Sequence, residues 1–306
     1  MNASLIIVQC LNGLQLGIFL FLMAAGLTLV FGVMNFVNLA HGSLYMLGAF
    51  IAATIYNVTA SFYLAALSTI PAMLLIGTAL ELIALRPLYK RTHLDQVLAT
   101  FGLILFFNEL TRCIWGPSPY YMDLPDSLSG TIDILGIQYS VYRFVIIATG
   151  LVVAAGCYFL IHKTRVGMLI RAGSTHREMV SALGINIAQI NTLLFALGSM
   201  LAGIAGVMAG PILSIQPGMG EPMLILTLVV IVIGGVGSVR GAFLAAIIVG
   251  VIDTAGRTLL PALLRVVLDR TAADGAGPAL ASILVYLVMA LVLVLRPAGL
   301  FPVRHG

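Results

Sequence analysis

Charge is what this sequence has least of. Lys, Arg, Asp and Glu make up 8% of its 306 residues, against about 25% in soluble domains. No Lys or Arg occurs before Arg86, so the basic start of a cleavable secretion signal is missing and none is expected. The only lysines, Lys90 and Lys163, follow Tyr and His rather than Gly, which excludes ATP binding by a P-loop. No serine stands in a G-x-S-x-G elbow and no H-E-x-x-H pairs the five histidines, so neither a hydrolase nor a zinc site is supported. The three cysteines, Cys10, Cys113 and Cys157, are odd in number and match no metal spacing. They read as small buried hydrophobes.

What is present is apolar: 61% of the chain, with a mean hydropathy of +1.12. That makes it an integral membrane protein. A span takes roughly 20 apolar residues, and each helix satisfies its own backbone. Runs such as "LILTLVVIVIGG" (224–235) are apolar on both faces, unlike the alternating strands of a barrel. The expected fold is therefore all-α, a single polytopic transmembrane bundle over residues 1–306. Apolar segments fall near 5–32, 43–60, 62–85, 97–114, 141–161, 190–213, 222–236, 241–260 and 279–295. Eight spans are expected, within a range of eight to ten, because 222–236 is short and ends in "GGVGSVRG" (234–241), as broken or re-entrant helices do. The stretch around "FGVMNFVNLAHG" (31–42) is a second such place. "GAFIAA" (48–53) and "GAFLAA" (241–246), each followed later by "LRP", hint at an internal repeat of parallel sense.

The net charge of +4 is a topology signal rather than an affinity for nucleic acid. Its cations gather at 86–93, at 162–178 and at the tail 296–305, which places these segments and the C-terminus on the cytoplasmic side. Residues 115–139 contain no Lys or Arg but do contain Trp115, Tyr120 and Tyr121, and read as an outer loop.

Polar residues inside apolar segments are the candidates for chemistry. A continuous helix would set Asn35, Asn38, His41 and Tyr45 on one face. They are either the polar wall of a translocation path or hydrogen-bonding glue between helices. Gly42 and Gly48 allow close approach under both readings. Asp253 and Arg257, four apart, read as a structural pair, while Glu81 and Glu109 lie near span ends and are expected to reach the interface. Within 164–190, a short helix around 175–183 ends at the C-cap signal Gly184. This segment is either an interfacial amphipathic helix or a docking element for a cytoplasmic partner.

The segment "EMVSALG" (178–184) has Glu six residues before Gly, as in the E-A-A-x-x-x-G loop of ABC importer permeases, with Met179 and Val180 replacing the alanines. "AGLTLVFGVMNFVNLAHGSLYMLGAF", "LRPLYKRTHLDQVLATFGLILF", "TRVGMLIRAGSTHREMVSALGINI", "VIGGVGSVRGAFLAAIIVG" and "LRPAGLF" follow in order. Together they resemble the H-type permease subunit of high-affinity branched-chain amino acid ABC importers, from about Leu11 to Phe301. Urea and short-amide permeases look alike and stay open as alternatives. A stand-alone channel or secondary carrier is the alternative of another class. The resemblance implies a permease in a bacterial plasma membrane that is not itself an enzyme and holds no cofactor of its own. Its partners would be a second homologous permease, two cytoplasmic ATPases carrying ATP and Mg, and an external (periplasmic or extracellular) binding protein. It would form half of a path for Leu, Ile or Val. Carried onto this chain, the ATPase-coupling residues are Gly167, Arg171, Glu178 and Gly184. The path or gate would be bordered by Asn35, Asn38, His41 and Gly42, with Gly234, Gly235 and Gly237 at the second break.

Overall fold

A computed structural model describes residues 3–34, 36–134, 136–175, 177–266 and 269–301. The helices are α1 (Ala3–Met34), α2 (His41–Thr59), α3 (Phe62–Leu80), α4 (His93–Trp115), α5 (Val141–Lys163), α6 (Arg165–Thr175), α7 (Arg177–Ala182), α8 (Ile187–Ala209), α9 (Gly220–Gly234), α10 (Val239–Leu264) and α11 (Arg270–Leu295). A π turn (Glu81–Leu85) and a 3-10 turn (Arg86–Lys90) extend α3. The only described strands, β1 (Thr131–Ile134) and β2 (Ile137–Ser140), pair antiparallel before α5. Among the described residues, eight helices are long and apolar enough to cross a membrane. The 15 residues of α9 reach only about 22 Å, short of a hydrocarbon core of about 30 Å.

Lipid tails are as apolar as leucine, so close packing of small residues replaces the hydrophobic effect as the glue between such helices. Gly13 and Gly17, four apart on α1, meet α10. A Cβ would stand 2.6 Å from Val251 Cα at the first and 2.8 Å from the Ala246 carbonyl at the second. A Cβ at Gly26 would come 2.7 Å from the Gly198 carbonyl of α8. Through these contacts α1 becomes the axis of the bundle, buried over most of its length. Helix α4, by contrast, presents Leu98, Phe101, Leu105 and Phe106 outward. Two cysteines depart from expectation in the same way: Cys10 and Cys113 are exposed, and Cys157 alone is buried.

The contacts define two ends. Tyr63 bonds Ser127, Tyr120 and Ile215 form a bridge, and Arg143 and Tyr139 donate to Asn12; this is the loop end. Glu81 joins Thr192, and Leu300 and Phe301 hydrogen-bond the end of α9; this is the basic end. The last described residues, 296–301, and the described cations of 86–93 and 162–171 thus share one end of the molecule, while α1 begins at the other.

Two passages are broken halfway. Residues 36–40 are not helical, and α2 begins partway along α4: Met46 lies against Thr111, and Phe50 packs at 5.0 Å on Trp115. After α8, residues 210–219 lead into α9, whose first residue meets the start of α2; a Cβ at Gly42 would stand 2.5 Å from the Gly220 carbonyl. From there α2 runs to the loop end and α9 to the basic end. The "GAFIAA" and "GAFLAA" fragments lie on α2 and α10, which run in the same direction, but at different depths. The likeness is of orientation, not of position.

Candidate functional site

The break before α2 gives the buried polar residues their role. Asn38 is fully buried, and its Oδ1 accepts the Ala40 N–H at 3.1 Å. It satisfies one of the amides that a helix start leaves open. His41, 1% exposed, has its Nε2 3.1 Å from the Met23 carbonyl of α1. A carbonyl only accepts, so Nε2 carries the proton and Nδ1 is left as an acceptor. Neither His41 Nδ1 nor Asn38 Nδ2 has a partner among the described residues. The single continuous face expected for Asn35, Asn38, His41 and Tyr45 does not form: Asn38 lies in the break and the helix starts at His41. Asn35 lies outside the described residues. A bulky residue at Gly42 would drive α2 and α9 apart.

Where these two helices start, two polar residues reach the surface. Asn108 of α4 donates to Glu221 of α9 at 2.5 Å, and Glu221 is exposed. Asn108 precedes Trp115 by seven residues, about 10 Å of helix. The next residue, Glu109, pairs with Arg112 one turn closer to the loop end at 2.9 Å, both more than half exposed. Charges at such depth face water or protein rather than lipid tails, so this face of α4 and α9 is the one suited to a path. Sequence reading missed Glu221. Its signal is faint: an acidic residue in the first turn of the short apolar helix, where a helix dipole favours it.

Gly234, Gly235 and Gly237 stand elsewhere. They close the far end of α9, about 22 Å of helix from Gly42. Gly235 has φ +99°, a conformation that a side chain would strain. The C-terminal turn docks there, with Leu300 N–H to the Ile233 carbonyl at 2.8 Å and Phe301 N–H to Gly234 at 3.1 Å. A Cβ at Gly32 would lie 2.9 Å from Gly237 Cα, so the end of α1 closes on the same spot. The two groups of expected path residues therefore form two places, one at mid-depth and one at the basic end.

The expected coupling segment is helical at that same end. Thr164 folds the corner after α5, its hydroxyl donating to the Leu160 carbonyl at 2.6 Å and accepting the Gly167 N–H at 3.0 Å. Gly167 is buried against the Leu160 and Ile161 carbonyls, where no side chain fits. Ile170 is also buried, whereas Met168 and Arg171 are exposed. Arg171 donates to the Ile161 carbonyl. Glu178 lies on α7, its side chain outside the described residues. Helix α7 stops at Gly184 (φ +84°), and Asn186 then caps α8 by accepting the Ala188 N–H at 3.0 Å.

Glu81 departs from the interfacial reading. It is fully buried in the π turn. Its carboxylate accepts from Thr192 Oγ1 at 2.8 Å, Tyr89 OH at 3.1 Å, and Arg86 Nη2 at 3.2 Å and Nε at 3.4 Å. Burying a carboxylate is costly unless it is fully bonded, and here the bonds tie α3 to the start of α8. Asp253 and Arg257 pair as expected, at 2.7 Å.

Residues 9–293 match the family model described as the permease component of the branched-chain amino acid transport system. The high-affinity branched-chain amino acid transport system permease protein BraD of Pseudomonas aeruginosa is 28% identical, covering 95% of this chain and 94% of its own. LivH of Salmonella typhimurium is 29% identical over 80% of this chain and 84% of its own. The ribose import permease protein RbsC of Escherichia coli is 26% identical over 76% and 72% respectively. No solved structure matches significantly.

Proposed function

Because the chain belongs to the family of branched-chain amino acid transport permeases, we propose that it forms half of the translocation path of an ATP-driven importer for Leu, Ile or Val. A second permease would form the other half, two ATPases would drive it from the cytoplasm, and an external binding protein would deliver the cargo. The carrying observation is the meeting of α2, which starts inside the bundle, with the half-length α9 at Gly42 and Gly220, with the exposed Asn108–Glu221 pair beside it. Broken helices that meet inside the membrane are where transporters handle polar cargo. A zwitterionic head group needs a few polar partners there, and an aliphatic side chain needs none. At the basic end, α6 and α7 offer the ATPase-coupling surface. The Gly167 corner fixes α6 on α5, Gly184 ends α7, and Arg171 and Glu178 are the groups suited to charge-assisted contacts. ATPase movement there would reach α8, and through Glu81 also α3.

The kinship with a ribose permease means that the family likeness alone leaves the cargo open. The test begins with affinity purification of the tagged chain from its native membranes and mass spectrometry of what accompanies it. Two P-loop ATPases and a second permease are expected, and the binding protein encoded with them should bind Leu, Ile or Val. In the assembled transporter, Arg171→Ala with Glu178→Ala should lower substrate-stimulated ATP hydrolysis at normal membrane insertion. A chain that emerges alone, from a detergent known to preserve such assemblies, would overturn the importer reading in favour of a channel or carrier.

A further inference from the structure

A cavity of about 560 Å³ opens at the basic end, between α1, α5, α6 and the turn from α9 to α10. Thr28, His162, Arg171, Ser238 and Arg240 are among its lining residues. Thr28 is the unusual member. It is 1% exposed and its hydroxyl has no partner among the described residues. A threonine on a helix ordinarily bonds the carbonyl one turn back, as Thr54, Thr69, Thr78, Thr100 and Thr227 do here. Thr28, which lines the cavity, makes no such bond.

The cavity is also electropositive. Arg240 stands with its guanidinium 5.2 Å from the Tyr158 ring centroid, joining α10 to α5 across the mouth. Arg171 holds the opposite side against the Ile161 carbonyl. The 26-residue α10 starts here: Ser238 Oγ accepts the Gly241 N–H at 3.1 Å, and Val239 and Arg240, earlier in the first turn, line the cavity. Helix starts carry partial positive charge. Toward the bundle middle, α5 and α10 present exposed apolar side chains beyond Tyr158 and Arg240. Leu151 is seven residues from Tyr158 on α5, and Leu244 and Ile248 follow Arg240 at four-residue steps on α10; all four apolar side chains are more than a third exposed.

An anion-favouring cavity beside exposed apolar side chains of two spans, at the level where helices leave the membrane, matches one kind of molecule. We infer that this is a binding site for an anionic phospholipid, its phosphate between Thr28, Arg171 and Arg240 and an acyl chain along the exposed apolar side chains of α5 and α10. Basic pockets between spans at this level suit anionic head groups, whereas the choline of a zwitterionic lipid would bring a cation against two arginines. The inference does not depend on the transported cargo.

The full-length chain in detergent, titrated with phosphatidylglycerol or phosphatidylcholine and followed by native mass spectrometry, tests it. One saturable phosphatidylglycerol should bind, with phosphatidylcholine about tenfold weaker or more, as expected when a choline cation is set against two arginines. Arg240→Gln should weaken phosphatidylglycerol by a similar factor. Thr28→Val, nearly the same shape, should weaken it a few-fold, while Thr28→Ser should bind as the parent does. Should Arg240→Gln prove unfolded by its tryptophan emission, the Thr28 pair carries the test. Equal binding of both lipids, or no change in Thr28→Val, would overturn the site. So would displacement of the lipid by millimolar inorganic phosphate, which would make it a site for the free anion.

Discussion

The Glu81 cluster offers the sharpest test of how the bundle is held. Glu81→Ala removes the acceptor of bonds from Thr192, Tyr89 and Arg86 at once. Truncating one member of a buried ion pair costs about 3–5 kcal/mol. Arg86, however, is 41% exposed and can return to water, which lowers the expected loss to about 3 kcal/mol. Thr192→Val deletes one of these bonds, and interhelical bonds in membrane proteins measure roughly 0.6–1.7 kcal/mol. Because both substitutions break the same contact, their double mutant should be less destabilised than the sum, by about 1 kcal/mol. The chain carries its own probe. Trp115 is the only tryptophan; its Nε1 donates to Thr54 at 2.7 Å, and its ring packs on Phe50. Reversible unfolding of the purified chain in mixed micelles of increasing SDS, read by Trp115 emission, gives all three values. A Glu81→Ala protein within about 0.5 kcal/mol of the parent, or a strictly additive cycle, would refute the reasoning, since surface changes fall in that range.

Further expectations follow from the close contacts and the breaks. Gly26→Ala would press a methyl into the Gly198 carbonyl 2.7 Å away; overpacking of this kind costs about 1–3 kcal/mol, measurable in the same unfolding experiment. Asn38→Leu with His41→Leu removes the bonds to Ala40 and Met23 and should lower both stability and uptake by reconstituted vesicles. Normal uptake with an intact fold would take both residues out of the mechanism.

Much of this architecture was legible in the sequence because membrane burial acts on composition. Eight apolar runs of sufficient length became eight helices, and the short run at 222–236 became the half-length α9. The Gly184 stop and the Asp253–Arg257 pair also rest on local chemistry, a positive φ and a four-residue spacing, which the sequence spells out directly. Asn38 and His41 were recognisable as buried polar residues at a break. What they bond was not, because Met23 lies eighteen positions away. Glu81 looked interfacial for the same reason: Thr192, the partner that makes its burial tolerable, is 111 residues distant.

The sequence by itself, then, determined that this chain lives in a bilayer, how many long helices it forms, which two of its passages are broken and which family it belongs to. All of these follow from the cost of placing polar groups in hydrocarbon and from motifs contiguous in the chain. The tertiary structure alone decided that the two breaks meet at Gly42 and Gly220, that Asn108 and Glu221 share that place, and that Thr28, Arg171 and Arg240 surround one cavity. Those are encounters between helices whose approach depends on which glycines pack against which carbonyls. No local pattern records that choice.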